Sequence, residues 1–428
     1  MLRILLVLAA MFCSTLLHAQ ETTEQQTAAD SPQQSTLDDL RTFSEIFAAV
    51  REYYVEEVTD RELLEAALDG MLSKLDPHSE WLSAEDYSVV EESATGRYGG
   101  LGIEFQMVDG YLTVITAVDD TPAQQAGLAS GDRLIAVDGQ ALRGRSINDA
   151  VELMRGEPGT TVELDIVRPR SDEKLTFTLT REIIHTISVR GRLIEDRFAY
   201  LRLASFQEET ANQLERRLND LLEQNQGAVD GIVLDLRNNP GGILFSAVQT
   251  ANHFLDHGLI VTTRGRSPEA FMEFKADQRM LVPREVPLVV LVNAGSASAA
   301  EIVAAALQDH QRAIIVGQRT FGKGSVQSVL EQRNGSAIRL TTSRYYTPDN
   351  RPIQLEGVMP DIVLPRVEVS AARDGTREAD LERRLDGEND DSDTLDGNET
   401  IPSLASQDYA LFEAINMLKS LYLAARHR

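Results

Sequence analysis

The chain has 428 residues, which is longer than one hydrophobic core supports and predicts about three domains. Hydrophobic residues make up 42% and charged residues 25%, a globular balance that excludes a wholly disordered or collagen-like protein. The 41 Lys and Arg residues stand against 67 Asp and Glu, so the formal net charge is −26 and nucleic acid is not an expected partner. Cys13 is the only cysteine, which excludes a disulfide framework and a cysteine zinc site.

Residues 1–19 have the pattern of a secretory signal peptide. Arg3 supplies the positive charge, residues 4–17 form the apolar stretch, and Ala19 ends a cleavage site. The stretch is shorter than a transmembrane span needs, although an uncleaved segment would leave the chain associated with the membrane. The two residues before Cys13 are not small, which disfavours a lipid anchor. The sequence therefore predicts export to the periplasm of a Gram-negative bacterium.

A polar linker and a helical region are expected next. Residues 20–36 are rich in Gln, Thr, Ser and Asp and lack periodicity, which is typical of a flexible linker. Residues 37–95 form the predicted helical region. Apolar residues recur there at helical spacing, at Leu40, Phe43, Phe47, Val50 and Tyr54. A capping box from Thr59 to Glu62 opens a second helix.

Residues 96–184 change to a β-rich pattern. Short apolar runs alternate there with Gly, Asp and Pro turns, and one helical stretch is predicted over residues 146–154. Residues 185–366 then alternate strands and helices. Three continuous apolar runs, suited to strands buried on both faces, lie at residues 231–236, 287–292 and 313–316. The fold class is therefore multidomain α+β with an α/β core.

The C-terminal part divides into a linker and a helix. Residues 367–404 are predicted to be a disordered acidic linker, since residues 386–399 carry seven acidic side chains and no basic one. Residues 405–428 are predicted to form a helix with Leu411, Ile415, Leu418 and Tyr422 on one face. Such a helix docks either on its own chain or on a partner.

Ser298 is a candidate nucleophile because it lies between an apolar strand and a predicted helix. The free N–H groups and the dipole of a helix N-terminus favour an oxyanion there, and Ala299 is a natural donor. A serine before a helix is more often only an N-cap. His310 is disfavoured as its base, because twelve residues along the same helix place it roughly 18 Å away.

Lys323 is the better candidate base, since glycines on both sides allow close approach of the backbone. A lysine acts as a base only where burial lowers its pKa well below about 10.4. A surface lysine in a loop is the plainer alternative. Residues 317–323 also fit most of a phosphate-binding loop, but Gly324 replaces the required Ser or Thr. The Ser-x-x-Lys pattern at residues 171–174 falls in a predicted turn and is discarded.

Residues 235–242 follow a predicted strand and end in two glycines. Their main-chain N–H groups suit the second half of an oxyanion hole, although a structural turn is equally natural.

Taken together, and in their order along the chain, the motifs resemble those of the carboxyl-terminal processing proteases, the tail-specific serine peptidases of the S41 family. The resemblance rests on residues 70–79, 100–103, 235–242, 295–301, 320–327 and 346–361. It implies a crotonase/ClpP-like S41 peptidase core in which Ser298 is the nucleophile and Lys323 the general base. Gln327 would orient the lysine, and the N–H groups of Gly242 and Ala299 would form the oxyanion hole. No cofactor or metal is implied.

The β-rich module resembles a PDZ domain, which captures the C-terminus of a peptide. The resemblance assigns the carboxylate-binding loop and the apolar pocket to Gly100, Leu101, Gly102 and Ile103. Arg155 follows the module's predicted helix and is a candidate for coupling the module to the core, though a plain surface arginine is the simpler interpretation.

The resemblance implies a serine endopeptidase that binds apolar C-termini of exported proteins and degrades or processes them. It also implies a homo-oligomer and, as in some relatives, a lipoprotein adaptor. The rival interpretation is a catalytically idle PDZ scaffold that presents C-terminal peptides to another enzyme of the envelope. A further alternative is an S41 peptidase without tail specificity.

Overall fold

The computed structural model describes most of the chain. The described residues are 32–118, 120–168, 173–277, 280–365 and 401–426. The predicted signal peptide lies outside them, as does the acidic run 386–399. None of the helices in these ranges has the length and apolar character needed to cross a membrane. The chain divides into two compact units, Met1–Pro77 and His78–Arg428.

The first unit contains two helices, α1 (Pro32–Tyr53) and α2 (Asp60–Ser73). Helix α1 begins earlier than expected, so residues 32–36 of the predicted linker are helical. The predicted capping box is confirmed. The Thr59 hydroxyl accepts the Glu62 N–H at 3.2 Å, and the Glu62 carboxyl accepts the Thr59 N–H at 2.8 Å.

The second unit begins with a short strand and a helix that lead into the β-rich module. These are β1 (Glu80–Leu82) and α3 (Ala84–Thr95). Strand β2 (Arg97–Gly100) enters the module and pairs antiparallel with β9 (Glu182–His185), which leaves it. The two ends of the module are thereby joined at one place.

The module itself is a six-stranded sheet with two short helices. Its elements are β3 (Ile103–Val108), β4 (Tyr111–Ala117), α4 (Pro122–Gln125), β5 (Arg133–Val137), β6 (Gln140–Ala141), α5 (Ile147–Met154), β7 (Thr161–Arg168) and β8 (Glu173–Thr180). The strand order is β3-β4-β5-β7-β8, with β6 paired to β5, so β3 is an edge strand. Helix α5 corresponds to the helix predicted over residues 146–154, and Ser146 is its N-cap. The core is apolar, with Leu134, Leu164 and Ile166 buried.

The α/β core is built on a second six-stranded sheet. Its strands are β10 (Val189–Ile194), β11 (Phe198–Leu203), β12 (Gly231–Asp235), β15 (Leu288–Val292), β16 (Ile314–Gly317) and β19 (Ile362–Val363), in that order. Strands β11 to β19 are parallel, and β10 is antiparallel. The three predicted apolar runs form β12, β15 and β16, whose side chains alternate between two buried faces.

Three helices pack against one face of this sheet. They are α6 (Thr210–Gln224), α7 (Leu244–Asn252) and α8 (Ala299–Asp309). Their apolar side chains share one core with Ile232, Leu234 and Val290 of the sheet. These helices correspond to the helical stretches of the predicted core.

A five-stranded antiparallel sheet completes the core. Its strands are β1, β13 (Leu259–Gly265), β14 (Met272–Lys275), β17 (Ser325–Glu331) and β18 (Ala337–Tyr346), with a 3-10 turn at Pro268–Ala270. Strand β18 is central, because β1, β13 and β17 all pair with it.

The C-terminal segment contributes α9 (Ile401–Gln407) and α10 (Tyr409–Arg426). Residues 401–404 belong to a helix, which corrects the expectation that the acidic linker extends to residue 404. Leu411, Ile415 and Leu418 are buried against the second face of the core sheet. The C-terminal helix therefore docks on its own chain, which was one of the two predicted possibilities.

Candidate active site

Three loops meet at one edge of the core sheet. Strands β12, β15 and β16 are adjacent and parallel, so their carboxyl ends lie together. They lead into loop 236–242, turn 293–298 and loop 318–324. Ser296 joins all three, since its hydroxyl donates to the Leu236 carbonyl at 2.8 Å and its carbonyl accepts the Phe321 N–H at 3.0 Å. The predicted serine, lysine and glycine motifs are thus brought to one site.

Ser298 immediately precedes α8 and has an unusual backbone conformation. Its φ is +55°, in the left-handed region that a non-glycine residue rarely adopts. Such strain persists where the surrounding structure fixes it, and it concentrates at active sites. Only 7% of Ser298 is exposed. A Cβ on Gly241 would lie 2.8 Å from the Cβ of Ser298, so only glycine allows the loop to approach the serine this closely.

Glu301 is the hydrogen-bonding centre of the site, a role that was not predicted from the sequence. Its carboxyl group is fully buried. Oxygen Oε2 accepts the backbone N–H groups of Ser298 at 2.7 Å and Lys323 at 2.9 Å. Oxygen Oε1 accepts the Gly322 N–H at 2.7 Å and the Thr320 hydroxyl at 2.5 Å. One side chain therefore fixes the backbone of the predicted nucleophile against the backbone of the predicted base.

The sequence contained a signal for Glu301. Ser298 and Glu301 have the spacing of a capping box, in which a glutamate three residues into the helix returns to the N-cap N–H. The Ser298 N–H to Glu301 bond has this geometry. The bonds to loop 318–324 could not be read from that pattern, since they depend on the tertiary fold.

Of the predicted oxyanion donors, Ala299 directly follows Ser298, and Gly242 directly follows Gly241, the residue that closely approaches Ser298. Gly242 forms a bridge with Phe206 that uses the Gly241 carbonyl and the Ile243 N–H, and this leaves the Gly242 N–H outside the bridge. Ala299 is the first residue of α8, whose N-terminal N–H groups carry the positive end of the helix dipole. The arrangement suits the stabilisation of a negative oxygen.

Lys323 and Gln327 lie on the third loop and on the strand that follows it. Lys323 is half-buried. Gln327 is on β17, where its side-chain amide donates to the hydroxyls of Ser325 at 2.9 Å and Thr341 at 3.3 Å. Because residues 317–323 lead into a strand and not a helix, they lack the helix N-terminus of a phosphate-binding loop.

Tyr345 is a second residue that the sequence reasoning missed. Burial raises the pKa of Tyr345 to about 12, although the Ser298 side chain opposes the rise. The phenol is therefore neutral at physiological pH. Its place on β18, distant in sequence from the serine, gave no local signal.

His310 and His253 both have other partners. His310 ends α8, and its Nε2 lies 2.7 Å from the Leu259 carbonyl oxygen. Nε2 of His253 lies 3.1 Å from the Ala211 carbonyl oxygen, and burial lowers the pKa of this histidine. The preference for Lys323 over His310 agrees with the position of His310 at the opposite end of α8 from Ser298.

The β-rich module contains a groove of about 310 Å³ between edge strand β3 and helix α5. All four predicted binding residues line it, and the other lining residues are Tyr98, Phe105, Val151, Met154, Arg155 and Thr186. Gly102 has a φ of +75°, and an added Cβ would lie 2.4 Å from Thr121. The free edge of β3 can accept a peptide as an added strand.

Arg155 connects this groove to the rest of the second unit. Its guanidinium lies over the Tyr98 ring at 4.7 Å and donates to the Glu92 carboxyl of α3 at 2.7 Å. Glu92 lies outside the module, so Arg155 is a contact between the module and the helix that precedes it.

Comparison with known proteins assigns families to these regions. The family models that match are peptidase family S41 over residues 197–364, the PDZ domain over residues 114–168 and the activating protease CtpB N-terminal domain over residues 4–86. The carboxy-terminal-processing protease of Bartonella bacilliformis is 40% identical over 398 residues, which are 92% of this chain and 91% of that protein. The carboxy-terminal processing protease CtpA of Bacillus subtilis is 32% identical over 320 residues, 74% and 67% of the two chains.

Among solved structures, a photosystem II D1 C-terminal processing protease shares 30% identity at a TM-score of 0.43, over 75% of this chain and 92% of that one. The family matches and the curated relatives define a peptidase with a PDZ domain. The chain belongs to peptidase family S41, among its carboxyl-terminal processing proteases.

Proposed function

We propose that this peptidase cleaves peptide bonds with a Ser298–Lys323 dyad and selects proteins by an apolar C-terminus. The observation that carries the dyad is the position of Glu301, which binds the backbone N–H groups of Ser298 and Lys323 with one oxygen. Two residues from separate loops held by the same buried atom have a fixed relation to each other, as a nucleophile and its base require.

In the proposed reaction, neutral Lys323 takes the proton of the Ser298 hydroxyl as the serine oxygen attacks the peptide carbonyl. The N–H groups of Gly242 and Ala299 bind the oxyanion. The carbon–nitrogen bond then breaks, and Lys323 gives the proton to the leaving amine. Water next attacks the acyl-enzyme and gives a proton to Lys323. The bond between the carbonyl carbon and the Ser298 oxygen then breaks, Lys323 returns the proton to that oxygen, and the new C-terminal carboxyl group is released.

Tail selection is assigned to the groove of the PDZ domain. Leu101, Ile103, Phe105, Val151 and Met154 make its walls largely apolar, which suits an apolar terminal side chain. The loop over residues 100–103 would bind the terminal carboxylate.

Arg155 is proposed to report the state of this groove to the peptidase core. It lines the groove and also binds Glu92 on α3, so a bound peptide that moves Arg155 disturbs a contact outside the module. Arg155→Ala is expected to change the dependence of cleavage on the peptide tail, whereas Arg155→Lys keeps the charge. An Arg155→Ala enzyme with unchanged activity and tail dependence would overturn this role.

Export to the periplasm, assembly as a homo-oligomer and use of a lipoprotein adaptor complete the proposal. Export rests on the signal-like residues 1–19. Assembly is supported by α1, whose apolar side chains Leu40 and Phe43 are 57% and 46% exposed.

The dyad is tested by the rate of cleavage of a peptide substrate as a function of pH. Because only a deprotonated lysine accepts a proton, the rate is expected to rise with pH between about 5 and 9. Ser298→Ala and Lys323→Ala should each lose about 10²-fold or more in rate. A flat profile, or full activity of either variant, would contradict the dyad.

A further inference from the structure

The C-terminal helix α10 is part of the peptidase core. Leu411, Ala414, Ile415 and Leu418 are at most 2% exposed and pack on the second face of the core sheet. This face carries alternate residues of the strands that end at the active site. The helix therefore packs on the strands that lead into the catalytic loops.

Asp408 precedes α10 and joins it to the peptidase by a two-pronged ion pair. Its carboxyl oxygens accept Nη1 and Nη2 of Arg237 at 2.8 and 2.7 Å. Asp408 also accepts the Leu411 N–H at 3.1 Å, which caps the first turn of the helix. Burial raises the pKa of Asp408, but the hydrogen bonds from Arg237 and the Leu411 N–H and the nearby positive charges together outweigh it, so the net pKa is lowered and the carboxylate is charged at neutral pH.

The other side of the Arg237 guanidinium binds Asp235, which ends strand β12. Nη2 of Arg237 donates to Asp235 at 2.6 Å and Nε at 3.0 Å. The Asp235 side chain is 1% exposed and also accepts the Tyr200 hydroxyl at 2.8 Å. Arg237 thus binds Asp235 at the end of a core strand and Asp408 at the start of the C-terminal helix.

Arg237 opens the loop that ends at the oxyanion hole. Its carbonyl accepts Arg202 at 2.7 Å, and two residues further on the Asn239 side chain accepts the Gly241 N–H at 2.9 Å. Gly241 lies so close to Ser298 that no Cβ fits between them. With this little clearance, a small displacement at the start of the loop reaches the Gly242 N–H at its end.

We propose that docking of α10 positions the oxyanion loop, and that Asp408 is a positioning residue that acts through Arg237. The inference rests on the proposed function, because it concerns the same loop. Loss of the Asp408 contact frees one side of the guanidinium and leaves Asp235 to hold it alone. The Gly242 N–H would then meet the transition-state oxygen less often, while substrate binding at the PDZ groove is unaffected.

The test compares two full-length variants, each lacking one ion pair of α10. Asp408→Asn removes the charge that faces Arg237. Lys419→Gln is the matched control, because Lys419 binds Glu195 at 2.7 Å and attaches the same helix without touching the loop. We expect kcat for an apolar-tailed peptide to fall about 10-fold in Asp408→Asn, with KM unchanged. This loss is smaller than the loss of about 10²-fold or more in kcat that follows removal of a whole oxyanion donor.

Two further readouts separate positioning from a loss of fold. Asp408→Glu should restore most of kcat, since it returns the carboxylate. Amide hydrogen exchange over residues 237–242 should rise in Asp408→Asn and remain unchanged in Lys419→Gln. Wild-type kcat in Asp408→Asn, or equal losses of kcat in both variants, would overturn the role of Asp408 and leave the proposed function standing. A wild-type enzyme that cleaves nothing while binding peptide would instead overturn the proposed function and this inference together.

Discussion

Glu301 offers a sharp test of how the site is assembled. Its buried carboxyl accepts four donors, three backbone N–H groups and the Thr320 hydroxyl. Glu301→Gln keeps the shape of the side chain and turns one acceptor oxygen into an NH₂ donor. The cost depends on which pair of donors the NH₂ faces.

The better orientation places the NH₂ at the position of Oε1. There the Thr320 hydroxyl can turn and accept from it, so only the Gly322 N–H loses its acceptor. A buried hydrogen bond to a charged group contributes about 1.5–3 kcal/mol, and the three remaining bonds weaken when the charge is removed. We expect the free energy of unfolding to fall by about 2–4 kcal/mol. The loop before Lys323 loses a fixed point, so kcat should fall about 10- to 100-fold.

The assay pairs thermal unfolding with kcat on a peptide substrate. Asp132→Asn is the control for stability, because Asp132 is also a buried carboxylate and binds Arg168 at 2.8 Å within the PDZ domain. It should destabilise its own domain and leave kcat of the core near that of the wild type. A Glu301→Gln enzyme with kcat within about two-fold of wild type would refute the view that this carboxyl group fixes the dyad.

Three further outcomes are expected. Gly102→Ala should weaken binding of an apolar C-terminal peptide about 10-fold or more, as measured by fluorescence anisotropy. The reason is that φ is +75° at this residue and the added Cβ would lie 2.4 Å from Thr121. An unchanged affinity would place the peptide elsewhere. Gly242→Ala should cut kcat about 10²-fold with peptide binding retained, since its Cβ would lie 2.1 Å from the Phe206 carbonyl oxygen. Burial opposes ionisation of Asp132, but hydrogen bonds from a guanidinium and a backbone N–H lower its pKa. The ionised Asp132 therefore stabilises the fold above its unfolded pKa of about 3.9, and this stabilisation is lost as pH falls through its folded pKa. In Asp132→Asn, the stability of the PDZ domain should lose this dependence on acid pH. Identical profiles of stability against pH in the two proteins would contradict the role of Asp132.

Features encoded within a few residues could be predicted from the sequence. The apolar runs that form β12, β15 and β16 were identified because strands buried on both faces are continuously hydrophobic. Ser298 was identified by the strand before it and the helix after it. The helical stretch over residues 146–154 stands out among the short strands, and Gly102 belongs to the loop that resembles the carboxylate-binding loop of a PDZ domain.

Features that depend on contacts between distant segments could not be predicted. Glu301 shows the spacing of a cap, yet its bonds to Thr320, Gly322 and Lys323 exist only because β15 and β16 are neighbours. The pair of Asp408 with Arg237 joins residues 171 positions apart across an acidic segment that has no hydrophobic pattern. For the same reason the periodicity of α10 identified its apolar face but not the surface that covers it.

The central claim, a serine peptidase that recognises protein tails, is tested most directly by one cleavage experiment. Wild type and Ser298→Ala are incubated with an unfolded protein that ends in apolar residues and with the same protein whose C-terminal carboxylate is amidated. Mass spectrometry then identifies the fragments. We expect cleavage by wild type alone and a large loss of cleavage on amidation. Equal cleavage of both substrates would contradict tail recognition, and cleavage by Ser298→Ala would contradict the nucleophile.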